Sequence, residues 1–363
     1  MTPVEFRRHL HAHPELSFRE EATARFIAER LADEGIDCRP VAGTGVLARI
    51  EGCGDLSQAV VLRADIDALP VHEESDVPWR SQNEGVMHAC GHDMHAAVLF
   101  GVLQRLVRDR SFAGTVFGLF QPAEECNPGG AQAVLAENPF AGYDVRAVIG
   151  AHVEAGMPVG TFGFCEGVFM ASNDELRLTV AGRGGHAARR EELADPVVAA
   201  ARLIVQLSEL NGPDVVVSTG RVTAEGATNV IPDEVRTEGT MRTFDERQRT
   251  AVKERIAGLA AANDRLSGTR TTVDISEGYP CVVNDTELTA RASALAARRF
   301  RSVRLGRRAT SEDFGRYGAH YPSLFYRFGV GVESGAAHTS RFRPDEQAID
   351  AGIDFMEMLV REL

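Results

Sequence analysis

No segment of this chain approaches the roughly 20 consecutive apolar residues that a membrane span needs, and no apolar run follows the basic residues of the opening MTPVEFRRHLHAHPELSF. The expectation is a cytoplasmic chain with no membrane partner. A basic stripe is missing as well: 39 Lys and Arg are scattered among 52 Asp and Glu, for a formal charge of -13, which argues against a phosphate-backbone partner and so against nucleic acid. There is no CxxC pair. Cys38, Cys53, Cys90, Cys126, Cys165 and Cys281 lie far apart, a poor disulfide framework for a chain of 363 residues, so at least one thiol needs another explanation. Repeats and low-complexity tracts are also lacking. What is present is enough apolar material, 44% of residues, to bury a large core, in a chain long enough for two domains.

Helical patterns cover Val4 to His11 and Phe18 to Glu34, followed by short aliphatic strands at Gly45 to Ile50 and Ala59 to Ala64. A helix from about His95 to Val107, a strand from Thr115 to Phe120, a helix from Gly130 to Leu135 and a strand from Val145 to Gly150 continue the alternation, which predicts an α/β fold with helices on both sheet faces. After Gly167 the rhythm changes to β-α-β-β-α-β: strands begin at Glu175, Val215, Glu234 and Thr269, and helices span Pro196 to Leu210 and Arg247 to Ala262. That order is the split βαβ pattern of a small open-faced sheet, with Val197, Ala200, Leu203, Ile204 and Leu207 expected on the buried face of its first helix. The α/β style then resumes through a helix from Asp285, a buried strand Ser323 to Val330 and a helix Asp345 to Leu363. The simplest organisation is a discontinuous first domain, 1–172 and 284–363, interrupted by a second at 173–283.

The densest chemical signal is MHACGHDMH, with His88, Cys90, His92, Asp93 and His95. Thiolate and imidazole suit a borderline-soft ion such as zinc. A structural zinc site, or a buried thiol beside unrelated histidines, fits that segment equally well. FQPAEEC adds adjacent carboxylates, Glu124 and Glu125, just past a strand end, where open α/β sheets place their ligands. One can ligate while its neighbour takes a proton from water, though a solvated acidic pair remains the competing reading. RADIDALP sets Asp65 and Asp67 on the same side of an extended chain, suiting an acid that orients a ligand histidine. His152 in GAHV comes to the same rim, and His338 in AAHTSRF is a weaker candidate. This surplus of ligands is better explained by two divalent ions than by one. His186 in GRGGHAA, Asn229 in ATNVIPD and Arg242 in GTMRTF are candidates to meet an oxyanion or a substrate carboxylate, each with an equally simple structural reading.

RRHLHAHPELSFRE, LRADIDALP, MHACGHDMH, FQPAEE, GAHV, GGHAA, ATNVIPDEV, GTMRTFDE, SEDF and AHTSRF occur in the order found in the M20 peptidase family, and the chain resembles its aminoacylase and hippurate-hydrolase-like amidohydrolase branch from end to end. The resemblance implies a zinc-peptidase-like catalytic domain with a mixed, largely parallel sheet, interrupted by a ferredoxin-like α+β lid and dimerisation domain. It implies Cys90, His92, Glu125, His152 and His338 as metal ligands, Glu124 as general base, Asp67 as a supporting acid and His186 as a histidine that reaches the partner subunit of a homodimer. Zinc is the first expectation for the two ions, with manganese, nickel and cobalt as alternatives. The implied reaction is hydrolysis of an N-acyl-L-amino acid or hippurate-like amide. Deacetylation of N-acetyldiaminopimelate or N-acetyldiaminobutyrate is the alternative, followed by a dipeptidase or carboxypeptidase. A scaffold that holds metal without turnover is the competing reading from outside enzymes. Arg189, where many relatives carry proline, and RRATSEDF, which lacks the family's usual glycine, are departures.

Overall fold

The computed structural model describes all residues, Met1–Leu363, and divides into two compact units: Met1–Phe169, Val282–Gly306 and Asp313–Leu363 form the first, Met170–Cys281 and Arg307–Glu312 the second. The short return segment 307–312 thus packs with the second unit although the chain on both sides of it belongs to the first.

In the first unit, α1 (Pro3–Ala12) and α2 (Glu21–Asp33) lead to β1 (Asp37–Val41), β2 (Gly45–Glu51) and β3 (Gln58–Asp65). Then come α3 (His92–Arg108), β4 (Thr115–Gln121), α4 (Gly130–Ala136), β5 (Asp144–Glu154), β6 (Thr161–Phe164) and β7 (Gly167–Met170). Phe18 stands outside α2 because its backbone is left-handed, with φ 57°. Helix α3 begins earlier than the sequence pattern suggests: Gly91, at φ 89°, takes the N-cap position and the helix starts on His92 instead of near His95. Only glycine fits there, since a Cβ would meet Val153 Cγ2 at 2.8 Å.

The second unit carries β8 (Asp174–Ala181), β9 (Gly185–His186), α5 (Pro196–Ser208), β10 (Val215–Ala224), β11 (Val230–Ile231), β12 (Glu234–Thr243), α6 (Glu246–Ser267) and β13 (Arg270–Ile275). Its four-stranded antiparallel sheet runs β10-β12-β8-β13. Leu176, Leu178, Val215, Val217 and Met241 of the sheet bury against Leu203, Leu207, Val252, Ile256 and Ala260 of the two helices. The buried face of α5 is Pro196, Ala199, Ala200, Leu203 and Leu207, rotated from the expected one: Val197 is exposed and Ile204 half-buried. Pro196 at the first turn, with Asp195 accepting the N–H groups of Val197 and Val198, sets that phase.

The chain returns through β14 (Val282–Asn284), α7 (Thr286–Ala296), β15 (Arg301–Arg304), α8 (Gly315–Gly318), β16 (Ser323–Gly329) and α9 (Gln347–Glu362). The main sheet has eight strands in the order β1-β2-β4-β3-β5-β16-β6-β15, and its central four, β4, β3, β5 and β16, are mutually parallel. Those strands are almost wholly buried, which explains their continuous aliphatic sequences. Being parallel, they deliver the residues that follow them to one edge.

Candidate metal centre

That edge collects the chemistry. Asp65 and Asp67 come at and after the end of β3, Glu124 and Glu125 follow β4, His152 is near the end of β5, and the loop after β16 carries His338. Cys90 and His92 enter at the start of α3. Cys90 Sγ lies 3.3 Å from His152 Nε2 and 3.2 Å from His338 Nε2. Glu125 Oε1 is 3.8 Å from His92 Nε2 and 3.4 Å from His338 Nε2. Two donor groups share the thiol: Cys90 with His92 and His152, and Cys90 with Glu125 and His338; Glu124 joins His92 and Glu125 in a third, each group having its ligand atoms within 4.8 Å of one another.

Neighbouring acceptors fix which ring nitrogen each histidine presents. His92 Nδ1 donates to the Asp67 carbonyl at 2.9 Å and lies 3.2 Å from Asp67 Oδ1, while His152 Nδ1 donates to the Val153 carbonyl at 2.7 Å. Both rings therefore turn an Nε2 lone pair toward the cluster. Asp67 works in two directions, since its Oδ2 accepts the N–H of Glu125 at 3.0 Å. His95 is excluded from the donor set although it is close. Its Nδ1 donates to Asp65 Oδ1 at 2.6 Å and its Nε2 accepts the N–H of Val153 at 2.9 Å, so both nitrogens are used. Burial pushes the His95 pKa down, in keeping with that neutral tautomer. Burial would raise the carboxyls of Asp65 and Asp67. It is outweighed by His92, His95 and Arg63 around Asp65, and by His92, the Glu125 N–H and Ser17 around Asp67, so both stay below their ordinary range as ionised acceptors.

Two buried atoms, His92 Nε2 and Glu125 Oε1, have no hydrogen-bond partner although they face one another. An unpartnered ring nitrogen and carboxylate oxygen at such a distance are costly unless a cation satisfies both. Burial, followed by the charge of Glu125, pushes the Cys90 thiol up to about 12, and a divalent ion reverses that preference. The donor set fits a dinuclear divalent-metal active site.

Comparison with known proteins agrees with this geometry. Residues 61–362 match Peptidase family M20/M25/M40. The chain belongs to that family. It is 37% identical over 355 residues to an N-acetyl-L-cysteine deacetylase of Bacillus subtilis, covering 95% of this chain and 84% of that protein. It is 35% identical over 368 residues to an N-acetyldiaminopimelate deacetylase of Anoxybacillus flavithermus, covering 98% and 96%. Among solved structures, the YXEP protein of Bacillus subtilis, described as a dinuclear metal-binding peptidase from the M20 family, superposes with a TM-score of 0.88 at 36% identity, over 99% of this chain and 96% of that one. This M20 protein is a metal-dependent hydrolase, and no helix in it is long and apolar enough to cross a membrane.

The remaining sequence candidates lie in the second unit. His186 is exposed on β9, paired with Val230 of β11, and its Nδ1 accepts the N–H of Ala188 at 3.2 Å. Asn229, also exposed, is tied to the same turn by its carbonyl, which accepts the N–H of Ala187 at 3.0 Å. Arg242 spends one guanidinium nitrogen on the Ala309 carbonyl at 3.0 Å and Ser311 Oγ at 3.2 Å.

Two supporting networks of the M20 domain escaped sequence reasoning. Arg63, fully buried, reaches Asp65 at 2.7 Å, Asp313 at 2.7 Å and Gln121 at 3.0 Å. Asp313 in turn accepts the N–H of Ala131 in the first turn of α4 at 2.9 Å. Behind α3, Asp93 meets Arg7 at 2.6 Å and His11 at 2.9 Å. An arginine inside the aliphatic run AVVLRAD was the available signal for the first; nothing local marks the second, in which His11 and Asp93 are 82 residues apart in sequence.

Proposed function

We propose that this protein removes the acetyl group from a small N-acetylated amino acid, by hydrolysis at a centre whose ligands are Cys90, His92, Glu125, His152 and His338. Hippurate-like N-acyl substrates stand second, because both relatives named above are deacetylases and both align with nearly all of this chain. The observation that carries the reading is the position of Glu124, buried in one cluster with His92 and Glu125 but outside the two groups that share Cys90.

Two divalent ions, zinc first and manganese, nickel or cobalt as alternatives, supply when bound a polarised amide carbonyl and a water acidic enough to lose its proton near neutral pH. Glu124 accepts that proton as the water oxygen bonds to the carbonyl carbon and returns it to the leaving nitrogen as the C–N bond breaks, giving acetate and a free amine. Asp67 holds the His92 ring with Nε2 facing inward and keeps the Glu125 backbone in place. His186 donates to the developing oxyanion from the partner subunit of a homodimer built through residues 173–283, and Asn229 and Arg242 hold the substrate carboxylate.

Glu124→Gln is expected to keep its metal and lose about 3 to 5 kcal/mol of transition-state stabilisation, seen as a fall in kcat. Near-normal turnover in that variant would remove the base from the mechanism. Substrate class is read by incubating the zinc- or manganese-loaded enzyme with mixed N-acetyl, N-benzoyl and dipeptide pools and following each by mass spectrometry. Preferential loss of dipeptides would reject the deacetylase reading.

A further inference from the structure

The motif HPELSFRE, residues 13–20, contributes nothing to the donor set, yet it hydrogen-bonds both carboxylate-bearing segments of the centre, the one after β3 and the one after β4. The Glu15 carbonyl accepts the N–H of Ala68, and Ser17 Oγ donates to Asp67 Oδ2 at 2.7 Å. Glu20 ends the segment, fully buried, at the N-cap of α2. A carboxylate at that position ordinarily caps its own helix. Here it does not: Glu15 accepts the N–H of Thr23 at 2.8 Å and of Ala22 at 3.3 Å, and the Glu20 side chain makes no cap.

Instead Glu20 points across to the turn after β4. Its Oε1 accepts the N–H of Ala123 at 2.8 Å and its Oε2 accepts the Thr44 hydroxyl. Ala123 is a non-glycine residue at φ 54°, immediately before Glu124, and such a conformation persists only where its surroundings impose it. The Ala123 carbonyl is held from the other side by the N–H of Gly130 at 2.8 Å. Burial pushes the Glu20 carboxyl up to about 6, a cost that an apolar residue in the same place would avoid. Asp67 already anchors the peptide of Glu125. Glu20 holds the peptide that enters Ala123, and the Gly130 N–H holds the one that leaves it for Glu124, so the two together fix the left-handed turn on which Glu124 stands.

We infer that Glu20 is a positioning residue for the reaction, fixing the left-handed peptide at Ala123 so that the Glu124 carboxylate stays aimed at the water it deprotonates. The inference rests on the reading of Glu124 as general base. Because Asp67 still holds the N–H of Glu125, on the far side of Glu124, loss of Glu20 frees the approach to Glu124 and leaves the ligand anchored.

The test measures kcat, KM, bound metal and thermal unfolding for Glu20→Ala, Glu20→Asp, Glu20→Gln, Glu124→Gln and the double variant E20A/E124Q, all as metal-loaded full-length protein. Glu20→Ala is expected to lower kcat about 10- to 100-fold, in line with a displacement of the reacting group of about 1 Å, while KM stays within about 2-fold. Metal content should match the wild type. Glu20→Gln should recover most of the rate, because its amide oxygen accepts the Ala123 N–H and its amide nitrogen donates to Thr44. The double variant should be no slower than Glu124→Gln alone. Should Glu20→Ala fail to fold, Glu20→Asp, one methylene too short to reach Ala123, carries the same expectations.

Wild-type kcat in the folded Ala or Asp variant overturns the inference. So does a Gln variant as slow as Ala, or loss of metal in step with activity, which would make Glu20 a support of the whole turn. If Glu124→Gln itself retains turnover, the base reading fails. If Glu124→Gln is inactive while the Glu20 variants run normally, only the positioning role is wrong.

Discussion

The carboxyl edge of the eight-stranded sheet and the β9–β11 turn of the second unit were both marked in the sequence by histidine-bearing motifs, but the fold treats them differently. At the sheet edge Cys90, His92, His152 and Glu124 are buried, and the rings of His92 and His152 are oriented by Asp67 and by the Val153 carbonyl of the same unit. On the second unit His186 and Asn229 stand in solvent, with the backbone registered by strand pairing and the side chains largely open. Leaving a buried polar group unsatisfied costs about 1 to 3 kcal/mol of stability, whereas an exposed one is satisfied by water. Substitutions at the first region should therefore disturb stability and chemistry together. At the second they should disturb chemistry alone.

The largest expected effect tests the first half of that contrast. Arg63→Met removes the buried cation that Asp65 and Asp313 share and should destabilise the protein by about 3 to 5 kcal/mol. Urea unfolding with metal present measures it. A loss below about 1 kcal/mol would mean that the arginine is dispensable to the core and that the two regions differ less than their burial implies.

His186→Ala comes next and should do the reverse. Removing an exposed side chain should change unfolding free energy by less than about 0.5 kcal/mol. Loss of one oxyanion donor should slow turnover about 100-fold or more, with metal content unchanged. Mixing this variant with Glu124→Gln and allowing subunits to exchange should restore activity in the heterodimers. Proven exchange without recovery would place the histidine within its own subunit's reaction, or outside the reaction.

How much of this was legible beforehand follows from the same contrast. The alternation of buried strands and helices, and the switch to β-α-β-β-α-β after Gly167, are periodic signals, and each element named from them is present within a few residues. Short strands such as β1, β6, β7 and β15 were not seen, because four or five residues carry too little periodicity. The candidate ligands could be named because their residue types are chemically unusual together. Their tautomers could not, since those depend on carbonyls brought in by folding, and the exclusion of His95 turned on the N–H of Val153, which any residue type would have supplied. Asp313 and Glu20 were hidden for a related reason: a charged side chain far from its partner in sequence looks like any surface residue until the sheet closes over it.

The smallest expected effect sharpens the comparison within the first unit, behind α3. His11 has Asp93 Oδ2 at 2.9 Å from Nδ1 and Glu73 Oε1 at 3.1 Å from Nε2, with Arg7 and His88 as the cationic or neutral neighbours. Both ring nitrogens thus face carboxylates, which the imidazolium satisfies together, while a neutral ring would give up the Asp93 bond and take Nδ1 to Arg7 Nη2 at 3.3 Å. Burial opposes the charge, and the two acids outweigh it, so the His11 pKa is raised in the folded protein. A raised folded-state pKa means that the stabilisation is complete below the unfolded-state value, about 6.5, and is lost as the pH rises through the higher folded-state value. Asp93 and Glu73 do not confuse that window, because both carboxyls are held below their ordinary range and remain ionised throughout it. His88, pushed down to about 4 by burial, is neutral there. His11→Gln, which can donate to only one of the two acids, should therefore cost about 1.5 kcal/mol near pH 6, the low end for a hydrogen bond to a charged group, and distinctly less near pH 9. Paired urea titrations of wild type and variant at the two pH values read the difference, with the effect of metal binding common to both proteins. A cost that grows toward alkaline pH would show that the neutral ring is the form the fold holds, and that the network behind α3 is built on Arg7 and Asp93 alone.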